Sequence, residues 1–263
     1  MDLLENAEEW SWHYSKWSNN EDLRNYPFVR NGSAPFTPAR RALPMLNLAL
    51  ISSAGGYIDG TDPFDTAAAD GDLTFREIPI EVEASDIKFA ARGYDPIAVL
   101  EDMNAQVPVQ RLLEYEANGV IGQLNPIWFS FCGHIPNAGK MVGEMIPQLA
   151  ARVARYEVQA ALIIPASRLC HQSCALLARA IEQLNIPTIM PTVDRAVAEM
   201  ARAPRIAYYD GEFGCVAGKP NWKQYQHRIL DESLRWIETY DQPASRKLVV
   251  DLETAVEQER GER

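Results

Sequence analysis

Apolar positions in this chain form short continuous runs separated by stretches with helical spacing, the pattern of strands buried on both faces alternating with helices. Leu46 to Ser53 (LNLALISS) and Ala160 to Ile164 (AALII) are such runs, and Ile121 opens an extended segment leading through Trp128-Phe-Ser-Phe-Cys132-Gly-His134. Pro187-Thr-Ile-Met and Arg205-Ile-Ala-Tyr-Tyr209 add two more strands. Helical spacing covers residues 95–104, 107–119, 139–156, 174–184, 194–203 and 222–240, with Pro108 where the second of these begins and Gly119 where it stops. The alternation predicts an α/β fold, a mainly parallel sheet flanked by helices.

The two ends break the pattern. Residues 1–45 read as an aromatic-rich N-terminal arm, in which Trp10, Trp12, Tyr14 and Trp17 crowd an acidic opening; the rings either fasten the arm to its own domain or serve an active site or a second subunit. Residues 46–240 form the α/β domain, as one body or as two closely packed lobes, 46–157 and 158–240. Residues 241–263 read as a charged tail, helical from about 246.

Chemistry concentrates where the Ala160–Ile164 run passes through Pro165-Ala-Ser-Arg-Leu into Cys170-His171-Gln172-Ser173-Cys174. The turn delivers Cys170 to the first turn of a helix at the carboxyl end of a strand, where open α/β sheets collect ligands. Helix N–H groups there favour a thiolate. Cys170 and Cys174 lie four apart, so Cys174 could resolve an adduct formed at Cys170, with His171 or His134 moving protons; Cys174 reads equally as a small apolar core residue. Cys132 is an alternative partner, and Cys132 and Cys170 facing each other unbonded across a cleft would instead motivate redox-neutral lyase or isomerase chemistry. No third ligand follows from the Cys-His-x-x-Cys spacing, so no metal is expected.

Candidate substrate contacts lie at other predicted strand ends. Ser53, Gly55 and Gly56 open a glycine-rich loop able to bring backbone N–H groups to a ligand, though such loops are also ordinary turns. Arg76 either orients a carboxylate or pairs with Asp65 or Asp72. Asp102 and Asn104 sit in a segment that reads as pocket wall or as caps.

Composition narrows the partners. The chain has 263 residues, 47% hydrophobic and 23% charged, enough for a substantial core. A formal charge of −11 disfavours nucleic acid and anionic membrane as partners, leaving a small-molecule substrate. Four cysteines do not make a disulfide scaffold in a chain this long. The opening Met-Asp-Leu-Leu-Glu-Asn-Ala-Glu-Glu lacks a signal peptide's basic start, and no apolar run nears the ~20 residues of a membrane span, so a reducing, cytoplasmic setting is expected.

The ordered series Tyr26-Pro-Phe-Val-Arg, Pro35-Phe-Thr-Pro, Ala49-Leu-Ile-Ser-Ser-Ala-Gly-Gly, Pro63-Phe-Asp, Gly71-Asp-Leu-Thr-Phe-Arg-Glu-Ile-Pro, Tyr94-Asp, Asp102-Met-Asn104, Pro108-Val-Gln-Arg-Leu, Phe129-Ser-Phe, Cys170-His-Gln and Ile186-Pro-Thr resembles the glycine/sarcosine/betaine reductase selenoprotein B and D-proline reductase family, over roughly residues 25–235. It is more narrowly similar to short, selenium-free members. The resemblance implies an oxidoreductase with an α/β fold, reductive cleavage of a substrate C–N bond by a selenol or thiol, and electrons from thioredoxin-like partners; a homo-oligomer is a candidate state. Redox-active thiols would carry the chemistry, with no other cofactor expected and no selenocysteine in the sequence. Departures are specific: Ser167 stands where short relatives tend to have the first thiol of Cys-Pro-x-Cys-His-Gln, Gly93 and Trp128 replace family histidines, and Cys132 stands at a family methionine. A non-catalytic, reductase-like binding or partner subunit is the competing reading.

Overall fold

The computed structural model describes residues 1–18, 20 and 22–250. Its strands are β1 (Asn47–Ser52), β2 (Gly56–Ile58), β3 (Phe75–Pro79), β4 (Ile87–Phe89), β5 (Gln123–Leu124), β6 (Ile127–Phe131), β7 (Ala160–Ile164), β8 (Thr188–Thr192), β9 (Arg205–Tyr208) and β10 (Ala244–Lys247). The α-helices are α1 (Ala7–Trp17), α2 (Ile97–Glu101), α3 (Val109–Ala117), α4 (Ala138–Lys140), α5 (Ile146–Arg155), α6 (Arg168–Gln183), α7 (Arg195–Ala201) and α8 (Lys223–Thr239). A π-helical turn, Met141–Met145, joins α4 to α5, so the helix expected over 139–156 is nearly continuous.

The apolar runs become the centre of one sheet in the order β10-β9-β8-β7-β1-β6-β3, with β5 also paired to β1. Every pairing in it is parallel except β3 against β6. The fold is therefore α/β with a mostly parallel sheet, and β1 and β7 pair over five residues, joining the first half of the chain to the second. Both faces of the central strands are covered, which is why β7 is buried at every position. Ala49 and Ile51 of β1 face a core with α5, α6 and α7, while Leu48 and Leu50 face a second core with α3 and α8. Each fully buried Leu or Ile side chain contributes about 1.5–3 kcal/mol.

The N-terminal aromatics pack on their own chain. Trp10, Tyr14, Trp17 and Tyr26 are buried in the first core, Trp10 Nε1 donates to Pro27 O at 2.7 Å, and Tyr26 hydroxyl donates to Pro136 O at 2.8 Å. The C-terminal expectation needs correction. Residues expected to begin a helical tail form β10 instead, in parallel register with β9, because the open edge of β9 offers backbone partners that outweigh charged composition. Expected tail positions 251–263 lie outside the described residues. Among the described residues, no helix is long and apolar enough to cross a membrane.

Candidate active site

The sheet order has a switch point between β1 and β7, the place at which open α/β sheets hold ligands. From β1 the chain goes to β6 on one side, whereas β7 leads through α6 to β8 on the other, so the segments leaving β1 and β7 part at their carboxyl ends. Ser53 ties the two strand ends together: its N–H and hydroxyl donate to Ile164 O at 3.1 and 3.3 Å, and its Oγ accepts from Ala166 N at 3.0 Å.

Cys170 sits at these strand ends, buried in the first turn of α6. Ser167 is the N-cap of α6, its Oγ accepting from Cys170 N at 3.3 Å. The same hydroxyl donates to Cys170 Sγ at 3.0 Å, and the thiol reaches Ser53 O at 3.7 Å. Gly133 makes the room: a Cβ there would stand 2.5 Å from Ser53 Cβ and 3.0 Å from Cys170 Sγ. Its N–H donates to Ser53 O at 3.0 Å, and its carbonyl accepts from Ser173 Oγ at 2.8 Å.

The other thiols differ by the face they occupy. Cys132 follows β6 in the alternation Trp128, Ser130, Cys132, on the side of the second core, where Cys170 also packs. Its Sγ lies 3.6 Å from Ala90 O, and burial, followed by the neighbouring Cys170, pushes it up to about 12; the His134 N–H and the Arg92 charge oppose this. Cys174 is in the first core, and burial raises its thiol well above the ordinary range, with Cys170 adding to the effect. Cys215 lies in the loop before α8, its thiol also raised by burial. All four cysteines are free and buried, Cys170 at 1% exposure and Cys132 at 3%.

The histidines do different work. His171 is fully buried with both ring nitrogens engaged: Nδ1 lies 2.7 Å from Ser167 O, and Nε2 accepts from the N–H groups of Val193 and Asp194 at 3.2 Å each. Burial holds it at about 4, hence neutral, and it ties α6 to the β8–α7 loop. It therefore positions the helix that carries Cys170. His134 is half-buried with no hydrogen-bond partner for its buried Nδ1, and burial lowers it to about 4, with the Arg92 charge acting in the same direction.

The remaining expected residues fall in several places. Gly55 has φ +73, and a Cβ on it would meet Ala90 O at 2.6 Å; its N–H already donates to Phe131 O at 2.9 Å. Gly56 begins β2 against the Trp128 ring. The glycine pair thus serves a tight backbone approach, with the Gly55 donor occupied. Arg76 donates to Thr74 Oγ1, Phe75 O and Asp62 O and lies over the Phe64 ring, in no ion pair with Asp65 or Asp72. Asp102 and Asn104 are caps. Asp102 accepts from Asn104 N, Asn221 N and Gln226 Nε2, and Asn104 Oδ1 accepts from Gln110 N and Arg111 N.

Sequence reasoning missed Arg92, Tyr94, Gly133 and the double role of Ser167. Ser-x-x-Cys ahead of an apolar helix is the spacing of an N-cap serine and was legible; nothing in the sequence shows that Gly133 meets Cys170 from 37 positions away. Among the described residues, no group of three or more His, Cys, Asp or Glu side chains is placed to hold a metal ion.

Comparison with known proteins matches residues 16–166 to the family described as glycine/sarcosine/betaine reductase selenoprotein B. The D-proline reductase subunit gamma of Acetoanaerobium sticklandii is 29% identical over 214 residues, covering 81% of this chain and 86% of that protein, a span long enough that it must include Cys170. A glycine reductase complex component B subunit gamma from Symbiobacterium thermophilum is 27% identical over 175 residues, and a betaine reductase complex component B subunit beta from Peptoclostridium acidaminophilum is 22% identical over 225. The chain spans 38% and 50% of the length of these last two proteins. No solved structure matches.

Proposed function

Because this chain belongs to the glycine/sarcosine/betaine reductase selenoprotein B family, we propose that it is the thiol-bearing component of a reductase that cleaves a C–N bond in a small amino-acid-like compound. Cys170 at the β1/β7 strand ends, with free Cys132 at the end of β6 on the same side of the sheet, supports a two-thiol site; the arrangement alone serves redox-neutral chemistry equally, and the reductase family selects reduction. Cys170 sulfur attacks the carbon bearing nitrogen, the C–N bond breaks, and the amine leaves with a proton. Cys132 then attacks the Cys170 sulfur, giving a Cys132–Cys170 disulfide and a new C–H bond. Two thiols are oxidised while one C–N bond is reduced to C–H and N–H. An external dithiol carrier of the thioredoxin type restores the pair.

Each neighbour supports a step. Ser167 hydroxyl hydrogen-bonds the Cys170 sulfur and can stabilise its anion, while burial keeps the Cys132 proton in place until the second step. Neutral His134, two residues from Cys132, can relay that proton. The relatives' names, "subunit" and "complex component", support partner proteins in the reaction.

The test is turnover of D-proline, glycine, sarcosine and betaine with dithiothreitol as reductant, comparing the native chain with Cys170→Ser and Cys132→Ser. Reduced acid formed by the native chain and lost in Cys170→Ser supports the reading; turnover undiminished in Cys170→Ser overturns it. The deep burial of Cys170 favours a second reading, a ligand-binding component that leaves chemistry to a partner. Saturable binding without turnover, alone or with added partner subunits, would select it.

A further inference from the structure

We propose that Arg92 is the carboxylate anchor at these strand ends, gripping the acid group of the substrate beside Cys132 and His134 and selecting amino or imino acids over the corresponding amines. The inference rests on the strand ends at Cys170 being a substrate site, and it assigns the anchoring role to Arg92 in place of Arg76.

The segment Ala90–Tyr94 is built as a wall over the strand ends. Ala90 N donates to Gly55 O at 2.9 Å, Ala90 O faces Cys132 Sγ at 3.6 Å, and Tyr94 hydroxyl donates to Ala54 O at 2.7 Å. Gly93, at φ +79, lets the His134 ring lie against the backbone: a Cβ there would stand 2.2 Å from Nδ1. Arg92 thus lies between Ala90, which is bonded to Gly55 and meets Cys132, and Gly93, which is in contact with His134.

Its guanidinium has spare capacity. Arg92 Nη1 donates to Ala68 O at 2.6 Å, and among the described residues no carboxylate forms an ion pair with Arg92. Other arginines of the interior are engaged: Arg205 with Glu182, Arg179 with Glu5, and Arg76 wrapped around Thr74 and Phe64. The Ala68 carbonyl also accepts from Gly71 N, and a Cβ on Gly71 would stand 2.7 Å from Ile135 Cα, so the guanidinium lies beside the segment that carries Cys132 and His134; its charge acts on both of these and on Tyr14. A half-buried guanidinium with unpaired donors beside reactive groups, in a chain of net charge −11, suits a planar carboxylate met fork to fork.

The experiment uses the full chain carrying Cys170→Ser, so that binding is read without chemistry. Calorimetric titration compares glycine, sarcosine, betaine and D-proline with methylamine, dimethylamine, trimethylamine and pyrrolidine. At least one acid is expected to bind saturably while its amine does not. Adding Arg92→Gln should weaken the acid by about 10-fold or more, and Arg92→Lys should recover part of that loss. A circular dichroism melt confirms that each variant folds, and the Lys variant serves if the Gln variant does not. Equal affinity in Arg92→Gln, or no binding of any of the four acids to the Cys170→Ser chain, overturns the inference. Turnover undiminished in Cys170→Ser would count against the Cys170 mechanism and leave this titration unaffected.

Discussion

Two buried polar clusters flank the sheet, and they differ in how their charge is met, although each leaves a buried polar atom without a partner, Arg205 Nε in the first. In the first, Glu182 accepts from Thr37 N, Thr188 N, Thr188 Oγ1 and Arg205 Nη1, while Arg205 Nη2 donates to Thr37 O and the guanidinium lies over Phe36. Both carboxylate oxygens are used, and the cluster clamps the segment around Thr37 to α6, β8 and β9. In the second, at Cys170, His134 Nδ1 and Ser130 Oγ are buried without partners and Arg92 keeps donors to spare. Unpaired buried polar atoms are costly. The first cluster matches its cation with a carboxylate, whereas among the described residues the Arg92 cation at the strand ends has none, and there a ligand would supply it.

The largest break in this comparison is Glu182→Ala. It leaves Arg205 charged, buried and unpaired, so urea unfolding should show a loss of about 3–5 kcal/mol, while the order of cysteine labelling in the native protein stays the same. A loss under about 1 kcal/mol would mean that the clamp holds no more tightly than an exposed ion pair.

His171 gives the next effect, through pH. Its folded value of about 4 lies below the ordinary 6.5, so the unfolded chain takes up the proton first. The stabilisation is complete above about pH 6.5 and is lost as pH falls towards 4, by about 3 kcal/mol for this one group. Urea midpoints measured across that window should fall less steeply in His171→Gln than in the native chain. His134 contributes in the same direction, reduced by its partial exposure.

Gly133→Ala sharpens the contrast at the strand ends. The added methyl group must move Ser53 or Cys170, costing about 1–3 kcal/mol in a chemical melt and changing the rate of Cys170 alkylation. The smallest effect belongs to Cys174→Ala. It removes a buried sulfur of the first core at a cost of about 1 kcal/mol and should leave turnover intact, whereas Cys170→Ser should abolish it.

The fold was legible because its central strands are continuous apolar runs and its helices carry end signals, as Pro108 and Gly119 do for α3. β10 was not, since an edge strand reads as charged as a solvated helix and its pairing partner lies about forty residues away. Cys170 was legible from strand-turn-helix order alone. Its surroundings were legible in part: sequence spacing offered Cys174, with Cys132 as an alternative, and the structure brings Cys132 to the same side of the sheet while Cys174 packs in the α5–α6–α7 core; Gly133 against Cys170 was not legible. Arg92 stayed hidden because a lone arginine in a loop has no pattern until its neighbours Ala90 and Gly93 are found against Cys132 and His134.

The most direct measurement is disulfide mapping after mild oxidation with diamide, the protein digested under acid and its linked peptides read by mass spectrometry. The account expects a Cys132–Cys170 link as the first intramolecular product, with Cys174 and Cys215 still free thiols. A Cys170–Cys174 link, or oxidation that leaves Cys170 and Cys132 both reduced, would contradict it.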